Sequence, residues 1–266
     1  MKITALCKTY SCDEFIEAAI ESIYDFVDHI VFVNSDIDWT GKSGINKVKS
    51  TILQWQKQND KQKKIIHIDA NVSNQWKQCN IGYQWIKDNL KPDWIMIFDT
   101  DEVWDFENIA IAKNILVKST EYNAISAQMH TYIKSPFYRV SPPEWCKPTV
   151  FIRPIHIAMQ GTRGNKVSPR LFCDELFFHH FTYVRMNEKD VFRKIQTTLR
   201  GDRDDAPNVK LTNIKQWKKE KWDQLPRAYN FHTTKCYEKS WHRIKQISIS
   251  DLPQTLRNKA IVEKFM

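Results

Sequence analysis

Strand and helix signals alternate through the first hundred residues, and that order limits the folds open to the chain more than any other feature. Ile3–Cys7 is a short apolar run followed by Lys8-Thr9-Tyr10. Ser11 and Glu14 then have the spacing of a capping box. Behind them Ile16, Ala19, Ile20, Ile23 and Val27 recur at intervals of three and four, one apolar helix face. Ile30–Val33 is the next strand. A second unit passes from a helix around Val48, Ile52 and Trp55 into Ile65–Ile68, and a third from Gln75–Leu90 into Trp94–Phe98. Strand–helix–strand units in series predict a single α/β domain with a mainly parallel, mixed central sheet and helices on both faces. Later strands are expected at Ala124–Met129, Thr149–Arg153 and Leu176–Val184. A proline-bearing segment from Ser135 to Trp145 separates the first two. Asn187 is placed to cap a helix bearing Val191, Ile195 and Leu199, and Gly201–Pro207 reads as a loop.

In such sheets ligands collect at the carboxyl ends of the strands. One strand end stands out. Trp94-Ile95-Met96-Ile97-Phe98 runs directly into Asp99-Thr100-Asp101-Glu102, three carboxylates in four positions. Carboxylates repel one another and resist burial, so stacking them on a core strand costs stability unless something cationic is bound. A divalent ion bridging a diphosphate would meet that need, and hard oxygen ligands suit Mg2+ or Mn2+. A helix cap beside an exposed Glu is the plainer alternative.

Composition narrows the function classes. The 266 residues are 42% hydrophobic and 27% charged, which excludes a disordered chain and a polytopic membrane protein. No run approaches the roughly 18 apolar residues of a membrane span. The first residues do not read as a signal peptide, since Lys8 breaks their apolar stretch, and a cytoplasmic protein is expected. The six cysteines form no C-x-x-C pair, so reduced thiols are expected and a cysteine zinc site is not. The formal charge is +9. Between Arg185 and Lys245 stand 16 Lys/Arg against 8 Asp/Glu, while the rest of the chain is near neutral. Such a stretch attracts phosphates, nucleic acid or an anionic membrane face, or is simply a solvated surface.

Four stretches together resemble the nucleotide-sugar glycosyltransferases of the type A fold, in particular the family-two-like bacterial and bacteriophage group. They are Ala5–Tyr10, Val31–Asp36, Asp99-x-Asp101 and Phe178–Arg185, the last containing His179 and His180. The polar run that usually follows the second strand is degraded here to Ile37-Asp38-Trp39-Thr40-Gly41. The resemblance implies a type A domain over residues 1–200, with a basic, mostly helical extension over 201–266 packed on it. It implies a nucleoside-diphosphate sugar as donor, UDP-linked for preference, and Mn2+ or Mg2+ as cofactor. Asp99 and Asp101 would hold the metal, joined by His180. Adjacent strand residues face opposite ways, so His179 and His180 cannot both enter one site.

The nucleotide sugar would meet Thr9, Tyr10, Asp36, Asn80 and Asp99, with Arg170 or Arg185 as a phosphate fork. Asn74 suits a helix cap. An inverting transfer needs a carboxylate base, for which Glu102, Glu144, Asp174 and Glu175 are candidates. The acceptor is expected to be a saccharide hydroxyl of a glycan or lipid-linked chain, with peripheral contact to an anionic membrane. The alternative is bacteriophage-type DNA with hydroxymethylated bases, contacted by the basic stretch and by Trp217, Trp222, Tyr229, Phe231 and Trp241. Two further alternatives are a non-catalytic nucleic-acid-binding protein on this scaffold and a nucleotidyltransferase.

Overall fold

A computed structural model describes residues 1–9, 14–38, 41, 43–44, 47–143, 146–159, 161, 163–193 and 243–266. Four parallel strands, β1 (Ile3–Thr9), β2 (His29–Asn34), β3 (Ile65–Asp69) and β4 (Trp94–Phe98), lie in the order β3-β2-β1-β4. Three helices connect them: α1 (Ile16–Ile23), α2 (Lys47–Asn59) and α3 (Gln75–Asn89).

The two-residue period of the strands sorts their side chains between two cores. Ile3, Ala5, Cys7, Ile30, Phe32, Met96 and Phe98 pack with α1 and α2 on one face. Leu6, Val31, Val33, Ile95 and Ile97 pack with α3 on the other. At Gly82 helix α3 lies tight against the sheet, because a β-carbon there would collide with the side chains of Leu6 and Val33. Asn74 caps α3 as expected, its Oδ1 accepting from the Lys77 amide at 3.0 Å.

Beyond β4 the sheet becomes mixed. The elements are β5 (Glu102–Val103), α4 (Phe106–Lys118), β6 (Ala124–Ile133), β7 (Ser135–Ser141), β8 (Thr149–Ile152) and β9 (Arg170–Tyr183). β8 lies antiparallel between β4 and β6, and β9 runs parallel to β6 and antiparallel to β5. Helix α5 occupies 188–193, with the Lys189 amide donating to Asn187 Oδ1. Finally β10 (Arg243–Gln246) adds to β7, and α6 (Gln254–Arg257) and α7 (Ala260–Glu263) bring Leu256 and Val262 into the first core.

Three local expectations change. Helix α1 starts at Ile16 behind Phe15, two residues beyond Glu14, and Ser11 of the expected capping box lies outside the described residues. The segment from Ser135 to Ser141, read as a connection, is β7, since its Pro136 stands near the strand start where a missing amide is tolerated. Helix α4 is an element the sequence pattern does not predict, because its apolar residues crowd together rather than forming a clean stripe; Asn108, Ala112 and Leu116 are its buried residues. Most of the basic stretch, 194–242, lies outside the described residues. Among the described residues no helix is long and apolar enough to cross a membrane, and Cys7, Cys79, Cys146 and Cys173 are free thiols.

Candidate active site

Strand β1 is flanked by β2 on one side and β4 on the other, so the chain changes direction across the sheet between β1 and β4. Loops leaving such a pair diverge and open a crevice at the strands' carboxyl ends. The place where that rule sets the crevice lies between Lys8, near the end of β1, and Asp99, just after β4. Lys8 shares its face with Leu6, and its ammonium donates to Asp99 Oδ1. Burial lowers the Lys8 pKa, but the Asp99 carboxylate outweighs it and the net shift is upward.

Each of the three strand-end acids has a cation of this chain against it. Arg163 donates from Nη1 to Asp99 Oδ2 at 3.0 Å and to Glu102 Oε1 at 2.7 Å, and from Nη2 to Glu102 Oε2 at 3.0 Å. Its remaining donors go to backbone, Nη2 to the Ile97 carbonyl at 3.0 Å and Nε to the Thr149 carbonyl at 3.2 Å. Glu102 Oε2 also accepts from the Asp99 amide at 3.1 Å. Asp101 Oδ2 accepts from Arg185 Nη2 at 2.7 Å, and both side chains are 2% exposed. Burial raises the Asp99 pKa, yet Lys8 and then Arg163 overcome it and bring it to about 2. Asp99 is therefore ionised at neutral pH, and at 23% exposed it is the most open of the three acids.

Strand β9 closes the far side. Its register sets His180 opposite Glu102, and the Phe181 amide donates to the Asp101 carbonyl at 2.9 Å. The two histidines face opposite ways, as the strand period requires. His180 turns its Nε2 toward Asp101 Oδ1 at 3.5 Å and its Nδ1 toward the Met129 sulfur. His179 is buried on the other side, between the Tyr132 hydroxyl at 2.7 Å and Asp105 Oδ2 at 2.8 Å.

The other candidates fall in different surroundings. Thr9 is buried, its hydroxyl donating to Asn34 Oδ1 at 2.9 Å and its carbonyl accepting from Gln78 on α3. Asp36 is exposed just beyond β2, with its own amide bonded to Asn71 Oδ1. Asn80 accepts from the Met159 amide at 3.0 Å and so ties α3 to the segment before β9. Arg170 opens β9, ten residues before His180, and donates to the Asn165 and Val167 carbonyls. Asp174 and Glu175 are exposed on β9, and Asp174 pairs with Lys147. Tyr10 and Glu144 lie outside the described residues.

The structure thus gathers Lys8, Asp99, Asp101, Glu102, Arg163, His180 and Arg185. Lys8 and Arg163 were not singled out from the sequence. A usable signal was the bracketing of Arg163 by Gly161 and Gly164, both at positive φ, which fold the chain tightly enough to aim one side chain inward.

A metal fits this arrangement poorly. Asp99, Glu102 and His180 each offer a ligand atom, all within 4.8 Å of one another. The four oxygens of Asp99 and Glu102, however, already accept from Lys8 or Arg163. Three carboxylates face three permanent cations, so a divalent ion would enter a neutral cluster against the charge of Arg163. The acids did require positive charge, and the chain supplies it.

No protein-family model and no curated protein sequence matches the chain. Among solved structures, a mannosyltransferase from Pyrobaculum calidifontis in complex with GDP-Man and Mn2+ aligns at TM-score 0.51 and 11% identity, over 75% of this chain and 62% of that one. S. aureus TarS 1-349 in complex with UDP-GlcNAc aligns at TM-score 0.49 and 14% identity, over 82% of this chain and 79% of that one. The chain spans about six-tenths of the mannosyltransferase's length. At 11% identity the likeness to the mannosyltransferase is one of backbone, and it shows that this chain has the α/β type A fold found in nucleotide-sugar glycosyltransferases.

Proposed function

We propose that the protein transfers a sugar from a nucleoside-diphosphate sugar, UDP-linked for preference, to a saccharide hydroxyl. The observation that supports this best is the ionised, partly open Asp99 at the β1/β4 crevice of a type A fold, backed by Lys8. An ionised carboxylate at that point accepts hydrogen bonds from ribose or donor-sugar hydroxyls. Asp36, exposed beyond β2, offers a second acceptor to the nucleoside.

Transfer builds negative charge on the departing diphosphate, and donors already aimed at it lower the barrier. Lys8, which donates to the open acid, and His180, which offers a ring nitrogen within 4.8 Å of it, are the donors proposed for that charge, since every N–H of Arg163 is already bonded within the chain. Glu102 makes a poor base, because it is buried and both its oxygens are held by Arg163. Asp99 is a weak one, its pKa lying far below neutral pH. Glu144, Asp174 and Glu175 stay as the candidates for taking the proton of the acceptor hydroxyl, although Asp174 is itself paired with Lys147, which holds its carboxyl below the usual range.

The charge surplus between Arg185 and Lys245 favours one second reading, a DNA acceptor. A melting-temperature screen of UDP-, GDP- and CMP-sugars tests the donor. A ligand at a hundredfold excess over its Kd stabilises the fold by about 2.7 kcal/mol. If no nucleotide sugar shifts the melting point and none is consumed, the proposal fails. A steep fall of acceptor binding with salt would select DNA over a neutral saccharide.

A further inference from the structure

We infer that Arg163 is the resident cation of this site, its covalently attached guanidinium neutralising the acids that a bound divalent ion would otherwise neutralise. The inference deepens the transferase reading and rests on it for the identity of the ligand, but not for the behaviour of the metal.

The argument is an account of donors and acceptors. A guanidinium has five N–H groups. All five of Arg163 are used: two on Glu102, one on Asp99, and one each on the Ile97 and Thr149 carbonyls. The two carbonyls belong to strands β4 and β8, so backbone of the central sheet fixes the group as firmly as the acids do. Burial lowers the Arg163 pKa, and Glu102 with Asp99 more than restores it, so the positive charge is permanent. Its position is also enforced from behind. Gly164 turns at positive φ against Ile152, where a β-carbon would collide, and Val167 is buried in the core beside α3. Upstream, the segment is pinned to α3 by Trp76 Nε1 on the Met159 carbonyl at 2.9 Å and by the Tyr83 hydroxyl on the His156 carbonyl at 3.0 Å.

A cation held by this many contacts does not give way cheaply to a divalent ion. The donor diphosphate therefore binds without one, and the ion-binding capacity of Asp99, Glu102 and His180 is masked rather than absent. Removing the guanidinium should uncover it.

The test is Mn2+ binding by the whole chain, followed by the electron paramagnetic resonance signal of free Mn2+ with no nucleotide present. The native protein should leave that signal unchanged, and Arg163→Ala should bind Mn2+ at least about tenfold more tightly. Arg163→Ala exposes Glu102 to an unpaired burial; should it not fold, Arg163→Gln keeps an amide donor against Glu102 and carries the same expectation. Stoichiometric Mn2+ binding by the native protein overturns the inference, and so does a folded variant that binds no better than the native chain. A second arm compares the melting shift produced by UDP in EDTA and in Mn2+. Equal shifts support the inference, and a shift seen only with Mn2+ overturns it. If UDP and every nucleotide sugar give none in either condition, the transferase reading is lost while the Mn2+ titration still decides the role of Arg163.

Discussion

Arg185 separates a buried structural clamp from an open phosphate fork, and the two roles differ sharply in what Arg185→Ala would cost. Its guanidinium donates to Asp101 Oδ2 at 2.7 Å, to the Phe181 carbonyl at 2.8 Å and to the Val184 carbonyl at 2.7 Å. Both charged side chains are 2% exposed. Deleting one partner of such a pair leaves the other charge buried and uncompensated, which costs about 3–5 kcal/mol. For a chain of this size each kcal/mol moves the melting point by about 2–4 °C, so a loss of roughly 10 °C is expected. An exposed arginine waiting for phosphate would change stability by no more than about 0.5 kcal/mol on removal. Urea unfolding followed by tryptophan fluorescence measures the difference. Asp101→Asn should be similarly damaging. The double variant Arg185→Met/Asp101→Asn should recover much of the loss, since no unpaired charge remains. A cost below about 1 kcal/mol for Arg185→Ala, or a double variant whose loss equals the sum of the singles, would refute the clamp.

Two further outcomes follow from the same packing. His130 has its pKa lowered to about 3, first by burial and then by His179, and its Nδ1 finds no hydrogen-bond partner among the described residues. The unfolded chain takes up a proton near pH 6.5 that the folded one refuses, so stability falls as pH drops below 6.5 and continues to fall toward 3. By pH 5 the loss attributable to His130 reaches up to about 2 kcal/mol. The difference between the native protein and His130→Phe, which keeps the edge contact with Phe177, should grow in the variant's favour between pH 7 and 5; parallel stability curves would contradict this. Gly82→Ala drives a methyl group into Leu6 and Val33 and should cost about 1–3 kcal/mol by chemical denaturation, despite alanine's better helix propensity. A stabilised variant would mean that α3 and the sheet have room to part.

What the sequence shows and what it hides have a common physical origin. The units from β1 to β4 were legible because their signals are local: a two-residue period in Leu6, Val31 and Val33, a helical one in Cys79, Tyr83 and Ile86, and a cap at Asn74. The crevice was legible for the same reason, since the acids follow their strand without a break. Helix α4 and strand β7 are hidden because a crowded apolar face and a proline near a strand start blur the period that identifies each element. The partners of the acids escaped because they are remote in the chain. Lys8 stands 91 residues from Asp99, Arg163 is 61 from Glu102, and Arg185 is 84 from Asp101. Charge type was deducible at each acid, since a buried carboxylate cannot be left unpaired. Its source was not, because pairing across such separations is decided by topology: β1 beside β4, a glycine-bracketed turn behind them, and β9 returning past β5. An acid-rich strand end therefore implies a cation near it, and only the arrangement of the whole sheet decides whether that cation is an ion from solution or an arginine from elsewhere in the chain.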